Sequence, residues 1–319
     1  MKKTILVTGG AGYIGSAAVK SLILEGYSVI VVDNLSKGLL NLVDKKAKFY
    51  EVDLVDKKEL QSVFKENKID AVMHFAAYKS VEESMQNPAK YSDNIIGTIN
   101  LLNCMVEYKV NKIIYSSSAA VYGSPKYNPI DEQHPTNPIN FYGFTKLQCE
   151  QIIDEYSKLH GLKYISLRYF NVAGDAGLNY IDPHALNVLP ILMEVVFGKR
   201  KIFTIFGEDY NTRDGTCIRD FIDINDLVKA HVLALNVNEN GIINLGTSKG
   251  ISVKELIEKT IQVTGKNFNY ESKRRRKGDP PILVASNKKA LRLLGWKSTK
   301  SINEMIKSTY EAYKIKRGK

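Results

Sequence analysis

The chain has 319 residues, of which 44% are hydrophobic and 25% charged, and a formal net charge of +11. The length exceeds one ordinary compact unit, and the composition excludes a disordered chain, a collagen-like repeat and a coiled coil. The charge admits a nucleic-acid partner, an anionic small substrate or a lysine-rich background. Its distribution speaks against nucleic acid: lysines are scattered along amphipathic segments, and the one dense run, Lys273-Arg274-Arg275-Arg276-Lys277, lacks interleaved aromatics and reads as a diphosphate clamp.

No stretch approaches about 18 consecutive apolar residues, and the first residues pass straight into a short strand without a signal-peptide core. The expectation is a soluble cytoplasmic enzyme with no membrane partner. Cys104, Cys149 and Cys217 are odd in number and lack metal or disulfide spacing, so buried thiols are expected. His74, His134, His160, His184 and His231 show no metal spacing either, and no metal is implied.

In chain order, apolar β-branched runs at 4–7 and 27–32 flank an amphipathic stretch at 14–25, which is a βαβ unit. The alternation continues with a strand at 48–52, a helix near 57–66, a strand at 70–75, a long helix near 91–108 and a strand at 112–116. A helix at 142–159 and a strand at 164–170 follow. This pattern predicts an α/β fold, a doubly wound Rossmann-type parallel sheet covered by helices on both faces. Past Asn171, Gly, Asp and Pro punctuation predicts a smaller α/β substrate domain. The expected division is residues 1–171 and 172–319, with segments around 219–236 returning to the first domain.

The turn Gly9-Gly10-Ala11-Gly12-Tyr13-Ile14-Gly15 follows a strand and opens a helix. In it the first glycine permits a tight turn, the second lets a phosphate approach the backbone and the third lets helix pack on strand. The helix N-terminus then faces a pyrophosphate. Asp33, 18 residues after Gly15 at the end of the second strand, can bond ribose hydroxyls and would repel a 2′-phosphate, which favours NAD over NADP, although nearby Lys37 softens that repulsion. Asp53-Leu54 is placed either to meet an adenine ring or to cap the next helix.

In Tyr142-Gly-Phe-Thr-Lys146 the i, i+4 spacing sets an ammonium beside a phenol, and this ammonium together with a cationic nicotinamide would lower the phenol pKa, so that Tyr142 can act as a base. With 18 tyrosines in the chain, this spacing taken by itself is mostly chance. The serines Ser116-Ser117-Ser118 sit where the preceding strand ends, the edge at which open sheets bind ligands, though a polar turn would look the same.

Together these residues make the chain resemble the extended short-chain dehydrogenases/reductases, and within them the UDP-glucose 4-epimerases, over nearly its whole length. The matching pieces are Val7 to Gly15, Asp33-Asn34-Leu35-Ser36, His74-Phe75-Ala76-Ala77-Tyr78-Lys79, Tyr91-x-x-Asn94-x-x-Gly97-Thr98 and Tyr142 to Lys146. Arg168-Tyr169-Phe170-Asn171, Asp209-Tyr210 to Asp214-Gly215-Thr216, Arg219-Asp220 and Arg275-Arg276-x-Gly278-Asp279 complete the set.

The resemblance implies bound NAD, with Ser118 and Tyr142 as the catalytic pair and Lys146 tuning Tyr142 and binding the nicotinamide ribose. It implies cofactor contacts from Gly9, Gly12, Tyr13, Ile14 and Gly15, from Asp33, Asn34, Asp53 and Leu54, from Phe75, Ala76, Ala77 and Lys79, and from Asn94, Ser116 and Tyr169. For a UDP-sugar substrate it implies Asn171, Asn187, Val188, Phe206, Arg219, Arg276 and Asp279, together with Lys79, Ser118 and Tyr142. Leu283 falls where the family gates the sugar pocket; its intermediate size implies UDP-GlcNAc and UDP-GalNAc as further substrates beside UDP-glucose and UDP-galactose. A homodimer through the helices near 91–108 and 142–159 is also implied. Two departures from the family pattern, a short segment at 174–187 and Asp223 in place of histidine, bear on the uridine contacts. A sugar-nucleotide dehydratase would need an acid pair after the serines, where Ala119-Ala120 stands. An epimerase of UDP-glucuronate or UDP-pentoses and a non-catalytic dinucleotide sensor are the other readings.

Overall fold

Most strands in the first half of the chain are apolar runs rich in Val and Ile that bury both faces, as a helix-covered parallel sheet requires; the edge strand at 48–51, Lys-Phe-Tyr-Glu, is the exception. In the computed structural model, which describes residues 2–183, 185–276 and 278–317, they form a seven-stranded sheet. His184 and Lys277 lie outside the described residues.

In chain order the elements are β1 (Thr4–Thr8), α1 (Tyr13–Leu24), β2 (Ser28–Asp33), β3 (Lys48–Glu51), α2 (Lys57–Glu66) and β4 (Ala71–His74). Then come α3 (Val81–Gln86), α4 (Pro88–Glu107), β5 (Lys112–Ser118), α5 (Phe141–His160) and β6 (Lys163–Tyr169). The rest is β7 (Asn171–Ala173), α6 (Val188–Val196), β8 (Phe203–Phe206), β9 (Ile218–Asp223), α7 (Ile224–Ala234), β10 (Gly241–Leu245), β11 (Gly250–Ser252), α8 (Val253–Thr264), β12 (Tyr270–Lys273), β13 (Ile282–Leu283), α9 (Lys288–Leu294) and α10 (Ile302–Arg317).

The sheet runs β10-β6-β5-β4-β1-β2-β3, with β3, β2, β1, β4 and β5 parallel to one another. Strand order reverses at β1, so the crevice beyond the carboxyl ends of β1 and β4 is the position where such sheets hold ligands. β5 runs on through Ser118, past the expected end at Ser116. α4 starts at Pro88, before the expected Tyr91, because Asn87 caps it by accepting from the Lys90 amide at 3.3 Å and proline occupies the first turn. α3 has no counterpart in the sequence reading; Ser80 caps it by accepting from Glu83 N at 3.2 Å.

The chain divides into two compact units that interleave. The first comprises residues 1–123, 135–168 and 228–243; the second comprises 124–134, 169–227 and 244–319. Residues 221–224, expected to return to the first domain, fall in the second unit, in β9 and at the start of α7. There β9 is the middle strand of a small sheet, parallel to β7 and β13 and antiparallel to β11, while β8 and β12 form a separate parallel pair. The first unit's core packs Leu6, Val32, Leu60 and Phe64 with Leu101, Met105, Ile113 and Ile153. That of the second packs Leu192, Met193 and Phe203 with Phe221, Leu256 and Ile306. Each core removes apolar side chains from water at roughly 1.5–3 kcal/mol per fully buried residue. Among the described residues no helix is long and apolar enough to cross a membrane.

Candidate active site

In the first unit the turn between β1 and α1 is set by backbone contact. Gly9 adopts a φ of 72°, donates its N–H to Val32 O at 2.8 Å, and would drive a Cβ to 2.6 Å from the Ala76 nitrogen. At Gly15 a Cβ would stand 2.0 Å from the Gly9 oxygen. Gly12 differs, since a Cβ there would meet only the Gly9 oxygen, at 3.3 Å. It begins α1 without any side-chain cap, so Tyr13, Ile14 and Gly15 form a first helical turn that offers backbone N–H groups and the positive end of the helix dipole.

Asp33, buried at the end of β2, closes this turn from the other side. Its Oδ2 accepts from Ala11 N at 3.0 Å and its Oδ1 from Leu35 N at 2.9 Å. Burial pushes the carboxyl pKa up and these two amides pull it back. Each oxygen keeps acceptor capacity for a further donor such as a ribose hydroxyl. Asn34 donates to Asp53 Oδ2 at 2.8 Å, and Asp53 Oδ1 accepts from Val55 N at 2.9 Å. The cap of α2 is Asp56, which accepts from Lys58 N and Glu59 N, so Asp53 is not the helix cap. Leu54 is buried against α4, where a Cβ on Gly97 would come within 2.9 Å of it.

The segment after β4 carries Phe75, Ala76, Ala77 and the exposed Lys79. Phe75 donates its N–H to Thr8 O at 3.0 Å, and its ring packs 4.8 Å from that of His231. Asn94 holds the segment by both ends of its amide: Oδ1 accepts from Tyr78 N at 2.8 Å and Nδ2 donates to Tyr78 O at 3.1 Å. The side chain of Asn94 is therefore engaged in shaping the wall formed by this segment.

Ser116, Ser118, Tyr142 and Lys146 meet where β5 ends against α5. Asn140 starts α5 by accepting from Gly143 N at 2.8 Å, and Ser84 of α3 accepts from Tyr142 N at 3.1 Å. The Tyr142 hydroxyl faces Ser118, which lowers the phenol pKa, and Ser118 Oγ accepts from Ala120 N at 3.1 Å. Lys146 is buried; its ammonium donates to Ser116 O at 2.7 Å and lies 5.0 Å from the Tyr115 ring centre and 6.0 Å from that of Tyr142. Burial lowers the Lys146 pKa to about 8. The phenol pKa is raised by burial and lowered by Ser118, so the depression expected from Lys146 and a cationic nicotinamide together is not a property of the polypeptide alone. Desolvation outweighs the helical neighbour, and a cationic group beside the phenol has to complete the tuning.

These features fit a dinucleotide: an open approach at Gly12, an uncapped helix start, a strand-end carboxylate with acceptor capacity to spare, and a buried ammonium beside two hydroxyls. Ser84 was not foreseen, because six polar-rich residues of α3 carry no apolar period; Ser80 three residues ahead of Glu83 is the signal that could have found the helix.

In the second unit β9 gathers residues from distant segments. Asn171 of β7 donates to Asp220 O at 3.2 Å, and Leu283 of β13 stands in register with Arg219. Arg219 donates to Asp279 in an ion pair and to Ile218 O at 2.9 Å. Of the basic run, Lys273 pairs with Glu271 at 2.8 Å and Arg275 with Asp209 at 2.7 Å. The Arg275 guanidinium lies 4.2 Å over Tyr210 and that of Arg276 3.8 Å over Phe206. Over the Phe206 ring the Arg276 guanidinium can present its planar N–H fork to an oxyanion, which a lysine could not do, whereas that of Arg275 is engaged with Asp209. Asn187 precedes Val188 at the start of α6 and makes no capping bond with its side chain. Tyr169 ends β6. Asp223 accepts from Asn225 N at 2.8 Å and from Asn225 Nδ2 at 3.0 Å.

The model of the NAD dependent epimerase/dehydratase family matches residues 5–246. The chain belongs to that family. Its cofactor is NAD, in keeping with the Asp33 carboxylate and the glycine turn. A UDP-glucose 4-epimerase of Lactobacillus helveticus is 46% identical over 97% of both chains. The crystal structure of UDP-glucose 4-epimerase from Bifidobacterium longum in complex with NAD+ and UDP is 38% identical, covers 99% of each chain and superimposes with a TM-score of 0.92. The UDP-Glc/GlcNAc 4-epimerase from Campylobacter jejuni is 40% identical over 98% of this chain and 99% of its own, with a TM-score of 0.88.

Proposed function

We propose that this chain is a UDP-glucose 4-epimerase that interconverts UDP-glucose and UDP-galactose through a transient 4-keto sugar. The observation that carries the reading is the Ser118–Tyr142 hydroxyl pair backed by buried Lys146, in the same unit as the glycine turn and Asp33. NAD, when bound, supplies the acceptor for the C4 hydride and the donor that returns it to the opposite face. Tyr142 takes the proton of the sugar 4-hydroxyl, Ser118 shares it, and Lys146 lends the positive charge that favours the phenolate and donates to the nicotinamide ribose. Gly9, Gly12, Tyr13, Ile14 and Gly15 hold the pyrophosphate. Asp33 and Asn34 hold the adenosine ribose, and Asp53 and Leu54 flank the adenine. Phe75, Ala76, Ala77, Lys79, Asn94, Ser116 and Tyr169 complete the cofactor site.

Uridine diphosphate is held by Asn171, Asn187, Val188, Phe206, Arg219, Arg276 and Asp279. The Arg276 fork over Phe206 and the Arg219–Asp279 pair suit an anionic diphosphate and the hydroxyls of its ribose. Leu283 borders the sugar beside Arg219. Its intermediate bulk and the likeness to the UDP-Glc/GlcNAc 4-epimerase support acceptance of UDP-GlcNAc and UDP-GalNAc as well. The first unit is the NAD-binding domain and the second mainly the UDP-sugar-binding domain. The enzyme works in the cytoplasm as a homodimer; Ile96 on α4 and Phe144 on α5 are exposed apolar residues suited to that pairing.

The test is interconversion of the two UDP-sugars without an added electron acceptor, scored across the N-acetylated pair as well. Tyr142→Phe should lower turnover by about a hundredfold or more while UDP binding persists; full turnover in that variant would overturn the reading.

A further inference from the structure

Helix α5 grips the end of β5 at three levels, one turn apart. Tyr142 faces Ser118, Lys146 donates to Ser116 O at 2.7 Å, and Glu150 accepts from the Ser117 hydroxyl. The first two belong to the site above. Glu150 does not meet substrate: it is 4% exposed, and its partner Arg168 from β6 is 3% exposed. The Arg168 Nε donates to Glu150 Oε1 at 2.9 Å and to Oε2 at 3.2 Å, and Nη2 donates to Oε2. The same guanidinium lies 4.8 Å over the ring of Tyr122, which closes the short helical turn that follows Ser118. Burying two ions in this way contributes little net stability, because desolvation offsets their attraction. What the pair does contribute is a fixed position and a charge.

We propose that Glu150, paired with Arg168, is a positioning residue for the Ser118–Tyr142–Lys146 set: it fixes Ser117, between Ser116 and Ser118, against α5 and sets a carboxylate one helical turn beyond Lys146. The proposal rests on the epimerase reading for the roles of Tyr142 and Lys146. The titratable groups facing Lys146 are His74 from β4, Tyr115 from β5, and Tyr142, Cys149 and Glu150 from α5 itself. Burial keeps His74 neutral with a pKa of about 3, holds the Tyr115 phenol protonated and raises the Cys149 thiol. Burial strips the proton from Lys146, and Cys149 and then Glu150 oppose it; among these described neighbours Glu150 is the carboxylate.

The experiment is the pH profile of kcat and KM for Glu150→Gln and Glu150→Asp. Glutamine still accepts from Ser117 but removes the anion and leaves the Arg168 cation unbalanced. Both limbs of the kcat profile should move about one unit toward acid, with kcat down about tenfold and KM changed less than about twofold. Aspartate keeps the charge with a shorter reach, so kcat falls while the profile stays on that of the wild type. A glutamine profile that overlays the wild type overturns the proposal, whatever its rate. Should that variant not fold, the double variant Glu150→Gln/Arg168→Met leaves no unbalanced buried ion. Its alkaline limb must still move toward acid, and an overlay there overturns the proposal equally. Phenolate absorbance of the NAD-loaded protein, taken as a difference from Tyr142→Phe, reads the same shift without substrate. If the wild type fails to interconvert the sugars, the epimerase reading falls, and this titration still decides the role of Glu150.

Discussion

Lys146 is fastened to the strand rather than to the phenol it is expected to tune: its ammonium donates to the Ser116 carbonyl at 2.7 Å and stands 6.0 Å from the centre of the Tyr142 ring. A buried ammonium with a single strong acceptor on this strand is positioned at a cost in stability. The pKa falls from 10.5 to about 8, so between those values the unfolded chain binds the proton that the folded chain has lost, and stability rises with pH. Below about 8 the full penalty is present, on the order of 3 kcal/mol.

Lys146→Met should therefore stabilise the cofactor-free chain at pH 7 by about 1–3 kcal/mol, less the lost bond to Ser116, while lowering turnover by about a hundredfold or more. Urea unfolding of both proteins across pH 7–10 checks it. The stability difference should shrink as pH climbs toward 10.5, and a variant less stable than the wild type at neutral pH would contradict the account.

His74 gives the same sign of pH dependence in a more acidic window. Thr98 donates to Asn94 O at 2.7 Å, so its lone pair is left to accept from His74 Nε2 at 3.0 Å, and Nδ1 accepts from the Thr8 hydroxyl at 2.6 Å. That network assigns a neutral ring, and burial lowers its pKa from 6.5 to about 3. The folded-state pKa is depressed, so the contribution is complete above about 6.5 and is lost as pH falls toward 3, at about 1.4 kcal/mol per unit within that window. His74→Leu should be less stable at pH 7 through the two lost hydrogen bonds, yet its stability should fall less steeply from pH 6.5 to 4. Parallel curves in urea unfolding would show that the ring does not set the acid limb.

How far the sequence reaches can be judged from such residues. Most strands of the first unit were legible because they contain continuous apolar runs, and the meeting of Ser118, Tyr142 and Lys146 because it depends on local features, an i, i+4 pair and a strand end. β9, with Arg219, Asp220 and Asp223 among its six residues, carries a weaker apolar signal, and its place is decided by pairing with β7, β11 and β13, which no local pattern carries. Asn171, Arg219, Asp279 and Leu283 come from separate segments without a spacing rule and could be assembled only through the resemblance. α3 is held by one cap and by tertiary contact, so its bond from Tyr142 N to Ser84 left no periodic trace. Desolvation of Tyr142 was invisible for the same reason: burial belongs to the fold and not to the motif.

The glycine turn separates what the fold needs from what the cofactor needs. A methyl at Gly15 would sit 2.0 Å from the Gly9 oxygen, inside a turn that Gly9 itself enters at a φ of 72°, so backbone must move. Gly15→Ala should lose several kcal/mol of stability, at the upper end of overpacking costs of about 1–3 kcal/mol, and lose NAD binding with it. Gly12 has a φ of −84° and a ψ of 172°, ordinary for any residue, and its Cβ would meet only the Gly9 oxygen at 3.3 Å. Gly12→Ala should therefore cost the cofactor-free chain about 1 kcal/mol or less, the amount by which alanine is the poorer helix cap. Its effect should fall on the dinucleotide, since the added methyl stands over the first turn of α1 where a pyrophosphate meets the backbone amides. Urea unfolding of the cofactor-free proteins together with calorimetric titration of NAD separates the two losses. If Gly12→Ala binds NAD as the wild type does, the second glycine is not the approach point; if it unfolds as readily as Gly15→Ala, packing rather than the cofactor selects it.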